Sequence, residues 1–529
     1  MAEHGELKEA IMKEIAKRLL SLVIVLACFL SLCLPALAAP QSQAQEETQA
    51  QDESSEETGG LLDQAALAAL KNYTYGEYLS DHADAAHPQT EISLKYDEHQ
   101  EYDNELKLKE NELPYAEFTD EYFNITQKAL ISDEDTIIGW TFSVPEDGMY
   151  SIKINYYNFV EYTDPQTGVT YKSRSSSIAK RIYIDGKIPF YEARQFYITR
   201  NWMDQNEVVR DSVTDNDIRP FQQEMSIWQT QSVKDHMGYY SSPLQFYLSA
   251  GEHTIMFEPV RESCAIAEVI IYNEEEVLSY EELKAQYEAA GYKPVSATDN
   301  TPIDPKNPSV SNDENYIYIE AEKPSLKSSP TMYGVTDRSS PLTYPYHTSK
   351  IRLNTIGGDK WQNAGEWMEW SFTVKNAGLY RISFKSRQNL LNNSFTSRQV
   401  LLDGEEICQE TNAVEFNYSS DWDMVTLGNG QEDYLFYLSE GEHTIRMVAI
   451  LGELGGILQE AENIISEYNA IYRDILMLTG SSPDTNRDYQ FEKIIPDTLE
   501  NLKTQTNRLQ AVSDRIKEIY GSKAGEQTS

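Results

Sequence analysis

The chain has 529 residues and a formal net charge of −41, because 85 Asp and Glu residues stand against 44 Lys and Arg. This length is sufficient for three or four structural units. The charge excludes a generic phosphate-binding surface, and we expect no nucleic-acid partner, because Lys and Arg would have to dominate one face. Anionic membranes and acidic polysaccharides are disfavoured for the same reason.

The N-terminal segment has the pattern of a secretory signal peptide, which we predict over residues 1–39. Three basic residues between positions 13 and 18 precede an apolar run over residues 19–34, and small residues before Ala39 supply a cleavage site. We therefore expect an extracellular or cell-surface protein. Two alternatives are less favoured. One is an uncleaved membrane anchor, since an apolar stretch of about twenty residues could span a bilayer. The other is a lipoprotein modified at Cys28.

An internal repeat organises the middle of the chain. The sequence Phe-Tyr-Leu-Ser-Ala-Gly-Glu-His-Thr-Ile at residues 246–255 recurs at residues 436–445 with one substitution. A second pair of matching blocks, residues 140–150 and 370–380, precedes the first pair in the same order. Blocks repeated in the same order indicate that one fold is used twice.

Each copy has the pattern of short antiparallel strands. Trp140, Phe142 and Val144 alternate with polar residues, which is typical of a half-buried strand. Asp185-Gly186 and its counterpart Asp403-Gly404 are hairpin turn signals. Short strands separated by such turns indicate a β-sandwich or jelly roll.

The predicted fold class is therefore mostly β, with two antiparallel β-sandwich (jelly-roll) modules followed by an α-helical antiparallel hairpin. A disordered acidic linker over residues 40–71 leads into the first module, residues 72–275. We expect the long insertion that follows Trp202 to lie as a loop over one end of this sandwich. A surface helix and a Pro/Asn-rich linker over residues 276–314 connect it to the second module, residues 315–450.

The last part of the chain changes to a helical pattern. Apolar residues between positions 450 and 475 recur at alternating four- and three-residue steps, the spacing of a coiled-coil seam. We predict a helical hairpin over residues 451–521 and a disordered tail over residues 522–529. The apolar stripe of the first helix is wider than one partner helix can cover, so we expect a further domain or a protein partner there.

Five blocks of the second copy carry a family resemblance. They are Ile319–Glu322, Gly365–Trp370, Gly378–Tyr380, Leu402–Gly404 and Gly441–Ile445. In this order they resemble carbohydrate-binding modules of families 6 and 35, which are β-jelly rolls of the galactose-binding type. The resemblance implies an oligo- or polysaccharide ligand. It extends more loosely over the first copy, which has Glu91-Ile-Ser-Leu where the second has Glu-Ala-Glu.

The segment from Asp474 to Lys493, preceded by two such modules, is similar to the N-terminal region of large clostridial solute-binding proteins of sugar ABC importers. In those proteins a periplasmic-binding-type domain follows the helices, whereas this sequence ends at Ser529 without one. We therefore expect an accessory or truncated part of such a protein, and not the domain that captures the transported sugar.

Candidate carbohydrate-binding residues are aromatic and polar side chains in loop-like surroundings, because aromatic faces stack on sugar rings and polar groups bond their hydroxyls. For each tryptophan, packing of the loop onto the sandwich is an equally weighted alternative. For the polar residues and Tyr333, a solvated surface is favoured. Trp140 and Trp370, which lie within predicted strands, are interpreted as core. The candidates are Trp361, Trp422, Tyr333, Asp337, Arg338, Trp202 and Trp228.

Two further pairs of residues have the chemistry of metal ligands. Glu320 and Glu322, on one face of a predicted strand, match the position of a structural calcium in the resembled family. Calcium takes six to eight oxygen ligands, so two carboxylates are only a start. His253 and His443 recur at the same repeat position without a second His or Cys at ligand spacing, so we predict that they fix a turn.

The sequence lacks the motifs that would identify a catalytic centre, such as Gly-x-Ser-x-Gly, His-Glu-x-x-His or zinc-spaced cysteines. We predict a secreted, non-catalytic carbohydrate-binding protein that serves a sugar importer. The first alternative is a cell-surface structural or assembly protein whose hairpin recruits a partner. The second is a glycoside hydrolase or an accessory subunit of one, although carboxylate pairs are inevitable in so acidic a chain and carry no weight without geometry.

Overall fold

The protein is mostly antiparallel β-sheet and ends in a helical hairpin, as the sequence predicted. The predicted signal peptide (1–39), the predicted linker (40–71, apart from Leu70) and the predicted tail (522–529) lie outside the described residues. No helix in the described part of the chain combines the length and the apolar character needed to cross a bilayer. The computed structural model describes residue 70 and residues 73–392, 394–484 and 486–521.

The first module begins with a short helix, α1, and continues through strands β1 to β18, with 3₁₀ turns at Tyr96–Glu98 and Tyr191–Arg194. The bounds are α1 (Tyr75–Asp81), β1 (Ile92–Lys95), β2 (Gln100–Tyr102), β3 (Tyr115–Asp120), β4 (Ile125–Ser132), β5 (Ile137–Val144), β6 (Gly148–Tyr157), β7 (Glu161–Thr163), β8 (Thr170–Lys172), β9 (Ile178–Ile184), β10 (Phe196–Ile198), β11 (Asn201–Asp204), β12 (Val209–Arg210), β13 (Asp217–Ile218), β14 (Gln222–Met225), β15 (Trp228–Ser232), β16 (Gln245–Leu248), β17 (Gly251–Arg261) and β18 (Cys264–Tyr272).

Two sheets face each other in this module. One has the strand order β15-β6-β18-β4-β3, with β1 paired to β18 and β16 paired to β6, and the other has the order β10-β9-β17-β5-β2. The core between the sheets includes Trp140, Tyr150 and Phe246, each at most 1% exposed. Trp140 is therefore a core residue, as its alternation with polar neighbours predicted.

The second module begins with helix α2 and continues through strands β19 to β28, with 3₁₀ turns at Gly358–Lys360 and Gln409–Ala413. The bounds are α2 (Tyr280–Ala290), β19 (Leu326–Lys327), β20 (Trp367–Val374), β21 (Gly378–Arg381), β22 (Ser383–Ser386), β23 (Phe395–Leu402), β24 (Glu405–Glu406), β25 (Val414–Asn417), β26 (Asp423–Thr426), β27 (Leu435–Leu438) and β28 (Gly441–Ile450).

The long insertion of the first module connects the two sandwiches. We predicted a loop, but the insertion contains strands, and β11 pairs with β14 on one side and with β19 of the second module on the other. The resulting sheet has the order β14-β11-β19-β20-β28-β23-β24. Across the junction, the buried ammonium of Lys327 donates to the Asp204 carboxylate at 2.5 Å. The two modules therefore share one continuous sheet.

His253 and His443 fix equivalent turns in the two modules, as predicted. Nδ1 of each histidine lies 2.7 Å from a carboxylate oxygen of Asp185 or Asp403, the aspartate of the Asp-Gly turn. Nε2 of each lies near the carbonyl oxygen of the residue four positions earlier. Both aspartates have a positive φ, of 50° and 53°, a conformation that Asp tolerates better than most residues. The repeated motif thus ties two turns together.

The helices α1 and α2 belong to the repeat, which was not predicted. The hydroxyls of Tyr75 and Tyr280 accept the first N–H of β16 and of β27, at 2.8 and 2.9 Å. Each helix begins with a capping box, and Tyr280 is only 2% exposed. The second module therefore begins near residue 279, and the region 276–314, predicted as a surface helix and linker, is partly inside it.

The two modules differ in their last strand. In the first, β18 follows β17 and lies between β6 on one side and β4 and β1 on the other. In the second, β28 leads into the helical hairpin, and the described part of the chain places no strand beside β22 on that side. β21 has only an isolated bridge there, between Pro294 and Leu379.

The loss of this strand corrects the prediction for the start of the second module. The indole N–H of Trp140 donates to the carbonyl of Lys95 in β1, and that of Trp370 donates to the carbonyl of Ala321. Residues 318–321 thus correspond to β1, but they form no ladder because their partner strand is absent from the described sheets. The prediction that Glu320 and its neighbour at 322 share a strand face is therefore wrong.

The C-terminal helices form the predicted hairpin around a seam of buried residues that includes Ile457, Ile464 and Leu509. The hairpin also contacts the first module, where the Gln459 side chain accepts from the hydroxyl of Tyr240 at 2.6 Å and donates to Glu192 at 2.9 Å. The bounds are α3 (Leu454–Thr479), α4 (Phe491–Ile494) and α5 (Pro496–Tyr520).

Candidate functional site

One end of the second sandwich gathers most of the predicted site residues. Strands β20, β23 and β26 begin at this end and β28 finishes there, as their antiparallel registers require. The loops over residues 328–366, 387–394 and 418–422 therefore lie close together. We call the surface formed by these three loops the apical face.

The centre of the apical face is a cluster of Trp422, Arg387 and Asp337. The guanidinium carbon of Arg387 lies 5.1 Å from the centre of the Trp422 ring, within the range of a cation–π contact. Arg387 also donates to the Asp337 carboxylate at 2.8 Å and to the hydroxyl of Ser339 at 2.7 Å. The ion pair is partly accessible, since the two side chains are 20% and 13% exposed.

The charge of this cluster is held in place by local hydrogen bonds. Burial acts to raise the pKa of Asp337, but hydrogen bonds from Ser339 and the charge of Arg387 outweigh it and lower the pKa. Asn354 fixes the backbone, since its amide oxygen accepts the N–H of Asp337 and its amide nitrogen donates to the carbonyl of the same residue. Asp337 is therefore an ionised acceptor in a fixed orientation.

The same position in the first module is closed. β6 and β21 begin at equivalent glycines, and the same count along the chain from each leads to Tyr157 and to Arg387. Trp228 pairs with Tyr157 and so corresponds to Trp422. Trp228 is 5% exposed, packs in a cluster with Phe118, and donates its indole N–H to the carbonyl of that residue at 3.2 Å. The prediction that Trp228 is a loop residue available to a sugar is wrong.

Trp202 is also not an open platform. It lies in β11 at the junction of the two modules, opposite Lys327, and is 9% exposed. The loop-like appearance of its sequence arises because the strand is short and its partners come from distant parts of the chain. Both candidate tryptophans of the first module, Trp202 and Trp228, are therefore structural, which was the alternative given equal weight for each.

Trp361 and Tyr333 reach the apical face and, like Trp422, have a cation over the ring. The indole N–H of Trp361 donates to the carbonyl of Glu366 at 3.0 Å, and the guanidinium of Arg398 lies 4.4 Å from its ring centre. Burial lowers the pKa of Arg398 to about 10. The guanidinium of Arg219, from the insertion of the first module, lies 4.0 Å from the ring centre of Tyr333. The ammonium of Lys360 also lies 5.8 Å from the ring centre of Tyr333.

Four further residues belong to the apical face, and only one of them was predicted from the sequence. Arg338, a predicted candidate, is exposed beside the cluster. Arg387 was missed: aligning the two copies from Gly148 and Gly378 places it at the position of Tyr157, and only the strand pairing shows that this position lies beside a tryptophan. Tyr418, at 40% exposure, and Leu390, at 67%, border the cluster on the neighbouring loops and were also missed.

The predicted calcium position has one feature of a cation site. Glu322 is 5% exposed, and its Oε1 has no hydrogen-bond partner among the described residues. Burial raises the pKa of Glu322 to about 7, and Glu320 pairs with Lys323. In the described ranges no three His, Cys, Asp or Glu residues are grouped to hold a metal ion. The residues present therefore fit calcium only in part, and its binding stays a prediction.

Comparison with known families found a match for the helical region. The family model described as "Bacterial solute-binding protein, 4-helix bundle domain" matches residues 456–529. This segment contains α3 and α5, and the match agrees with the similarity noted from the segment around residue 480. A comparison with curated proteins found no match.

Comparison with solved structures concerns the sandwiches. A family 35 carbohydrate-binding module from Clostridium thermocellum is 10% identical, with coverage of 35% of this chain and 99% of that chain and a TM-score of 0.19. The C-terminal family 6 module of LamC from Zobellia galactanivorans is 9% identical, with coverage of 35% and 100% and a TM-score of 0.18. A GH26-CBM35 β-(1,4)-mannanase from Podospora anserina is 8% identical, with coverage of 39% and 35% and a TM-score of 0.20.

Proposed function

We propose that the apical face of the second module binds an oligo- or polysaccharide, and that the protein is a secreted, non-catalytic accessory part of a solute-binding protein for sugars. The single observation that carries the binding proposal is the environment of Trp422 compared with that of its counterpart in the first module. The fold places a tryptophan at this position in both modules. It is sealed by aromatic packing in the first module and left half-buried beside a charged pair in the second.

The chemistry of the cluster fits a sugar ring. An aromatic face covers the C–H side of a pyranose, and a few polar groups orient its hydroxyls. Asp337 supplies acceptor oxygens and Arg387 supplies N–H donors, both partly exposed and held by hydrogen bonds. The rigid sandwich presents these groups on loops, the usual position for recognition residues.

The link to a solute-binding protein is supported by the family match of the helical region. A second candidate function, an assembly protein, has its own supporting observation at the far end of the hairpin. There Tyr472 and Met477 are 62% and 80% exposed. Large apolar side chains exposed at the end of a helix are candidates for a protein contact. The two functions are compatible, because Tyr472 and Met477 lie at the far end of the hairpin, whereas its base, at Tyr520, packs on Phe395 at the apical end.

The binding proposal is tested by retention on immobilised polysaccharides and on a glycan array. Wild-type protein is compared with Trp422→Ala and Arg387→Ala, and Tyr472→Ala is a matched control that removes an exposed aromatic ring from the hairpin. We expect loss of at least about tenfold in affinity for the two apical variants, which is about 1.4 kcal/mol, and no change for the control. Failure of the wild type to bind any glycan would reject the proposal.

The assembly proposal makes the opposite prediction for the same variants. If the hairpin recruits a protein, Tyr472→Ala weakens capture of that protein and Trp422→Ala does not. Assay of sugar release from mixed polysaccharides separates both proposals from a hydrolase, which would release reducing ends.

A further inference from the structure

The insertion of the first module forms a two-stranded projection, which we call the finger (residues 205–221). β12 and β13 pair with each other in the finger, with Val209 opposite Ile218. The backbone N–H of Gln205 donates to the carbonyl of Phe221 at 2.8 Å and closes the base. β11 and β14, which flank the finger, belong to the sheet that the two modules share. The finger is therefore anchored where the two sandwiches join.

The finger is hydrogen-bonded to the apical face of the second module. The side-chain oxygen of Asn216 accepts the N–H of Ile351 at 2.8 Å, and the N–H of Asp217 donates to the carbonyl of Ile351 at 3.1 Å. The Asp217 carboxylate accepts the N–H of Leu353, also at 3.1 Å. Ile351 and Leu353 belong to the loop over residues 328–366, so these bonds fix the finger against that loop.

Arg352 adds a buried charge to the same contact. It is 6% exposed, and its guanidinium donates to the carbonyl of Asp215 at 2.5 Å and to the carboxylates of Asp215 and Asp217 at 3.0 and 3.3 Å. The ammonium of Lys350 donates to the carbonyl of Thr214 at 2.7 Å. Separation of the finger from the loop would leave the buried guanidinium unpaired, which is costly. The finger is thus a fixed part of the apical face.

Phe221 combines a fixed backbone with an exposed ring. It is the one aromatic residue of the finger and is 80% exposed. Its carbonyl is bonded to Gln205. The side-chain amide of Gln222, the next residue, donates to the carbonyl of Pro220 at 3.2 Å and to the carboxylate of Asp204 at 2.9 Å. A ring on such a backbone loses little conformational entropy when a ligand covers it.

Arg219 connects Phe221 to the aromatic residues of the apical face. The Arg219 guanidinium lies 4.0 Å from the ring centre of Tyr333, which is on the same loop as Asp337. Phe221 is two residues beyond Arg219, so their Cα atoms are at most about 7 Å apart. Tyr333 and Asp337 are four residues apart, which limits their Cα separation to about 14 Å. Phe221 therefore continues the surface whose centre is the Trp422 cluster.

We propose that Phe221 is a second aromatic platform of the glycan site, supplied by the first module to the second. The ligand is then a chain of sugars that contacts both Phe221 and Trp422, and this inference rests on the proposed function of the apical face. A single exposed apolar side chain is ordinary on a protein surface, but Phe221 is attached to a face that has the other groups of a sugar site. Its ring suits the C–H side of a sugar, and the neighbouring Arg219 supplies N–H donors for hydroxyls.

The length of the bound sugar distinguishes the two platforms. Disaccharides and hexasaccharides from mannan, xylan, β-glucan and galactan are titrated into the full chain, and binding is followed by isothermal titration calorimetry. We expect Trp422→Ala to weaken binding at both lengths. We expect Phe221→Ala to weaken hexasaccharide binding about fivefold, as for one lost ring contact, and to leave disaccharide binding unchanged.

Two further variants separate a ring contact from a change in the finger itself. Val213→Ala removes an apolar side chain that is 90% exposed on the same finger, and it should leave binding at both lengths unchanged. Phe221→Trp keeps an aromatic face and should bind the hexasaccharide as the wild type does.

The outcomes for this inference and for the proposed function are distinct. Hexasaccharide binding by Phe221→Ala at wild-type affinity overturns the second platform, and so does an equal loss for the disaccharide or for Val213→Ala. Failure of Phe221→Trp to bind better than Phe221→Ala also overturns it. A wild type that binds no hexasaccharide rejects a chain ligand, whereas the proposed function fails only if the glycan array is negative as well.

Discussion

Trp228 and Trp422 occupy the same position in the two modules, and only Trp422 is accessible to solvent. Trp228 pairs with Tyr157 and packs beside Phe118 of β3. Trp422 lies beside Arg387 and Asp337, and nothing equivalent to β3 covers it in the described sheets. One position of the fold therefore has two roles, and the surrounding strands decide which.

This relationship predicts opposite effects for the same substitution. Trp228→Ala removes a buried ring and is expected to lower the free energy of unfolding by about 3–5 kcal/mol, with little direct effect on glycan retention. Trp422→Ala is expected to lower it by less than about 1.5 kcal/mol and to abolish retention. Chemical denaturation and affinity gels measure the two effects. A large stability loss for Trp422→Ala alone would mean that it is a packing residue.

The junction between the hairpin and the first module is tested by a pair of adjacent glycines. A Cβ at Gly455 would lie 2.1 Å from the carbonyl oxygen of Tyr239, whereas one at Gly456 meets nothing within 4 Å. Gly455→Ala should therefore destabilise the docked hairpin by about 1–3 kcal/mol. Gly456→Ala, the matched control, should stabilise the helix by up to about 1 kcal/mol. Calorimetry and limited proteolysis of the hairpin compare them, and equal behaviour would contradict the docked arrangement.

The ion pair between Lys327 and Asp204 connects the two modules inside a shared sheet. Lys327 is fully buried, and burial lowers its pKa. Asp204→Ala leaves this ammonium without its carboxylate and should cost about 3–5 kcal/mol, whereas the double variant Asp204→Ala with Lys327→Met should regain most of the loss. A double-mutant cycle on the free energy of unfolding measures the coupling. Additive effects would show that the pair does not couple the modules.

Glu192, at the same junction as the hairpin, predicts a pH dependence. Burial raises its pKa above the ordinary value of 4.5, and the nearby charge of Asp235 acts in the same direction. The folded protein therefore retains this proton to higher pH than the unfolded chain, so the contribution of Glu192 to stability is complete below pH 4.5 and is lost as pH rises through the raised pKa.

The matched variant for this prediction is Glu192→Gln, which keeps the shape of the side chain and removes its charge. The difference in the free energy of unfolding between wild type and variant should change with pH above 4.5, with the wild type losing stability relative to the variant. A difference that stays constant across this range would contradict the raised pKa.

Calcium binding is predicted at Glu322. If the ion binds, it satisfies the buried Oε1 and stabilises the charged carboxylate, so added calcium should raise the unfolding temperature of the wild type and chelator should reverse the rise. Glu322→Gln should abolish the response, and Glu320→Gln should weaken it. Magnesium at the same concentration serves as the control ion. An unchanged unfolding temperature would contradict calcium binding at this site.

Local patterns in the sequence were enough to predict the two sandwiches and the hairpin. The alternation around Trp140, the Asp-Gly turns and the heptad spacing of the last helices are short-range signals. The same strand and turn pattern occurs in both copies of the repeat, which strengthened the prediction of a sandwich for each. The helix at the start of the first module was missed, and the one at the start of the second was predicted only as a surface helix, although Thr74 and Ser279 begin matching capping boxes. A capping box is a short motif that does not by itself show where a helix packs. The contacts of Tyr75 and Tyr280 with a distant strand show that the two helices are equivalent.

The candidate site depended much more on tertiary contacts. Composition marked Trp202, Trp228, Trp361 and Trp422 alike as loop tryptophans, because each stands among polar residues. Exposure of a side chain is set by strands that come from elsewhere in the chain, and these bury the first two. The same applies to Glu322, whose predicted strand needs a partner that the described part of the second module does not supply.

By itself, the sequence determined which segments form strands, turns and helices, and that one arrangement occurs twice. It did so because backbone hydrogen bonding and side-chain alternation act over a few residues. Only the tertiary structure decided that the modules share a sheet, that one of two equivalent tryptophans faces solvent, and that one sandwich lacks a strand. Those outcomes depend on long-range pairings such as Trp202 with Lys327, for which neighbouring residues carry no signal.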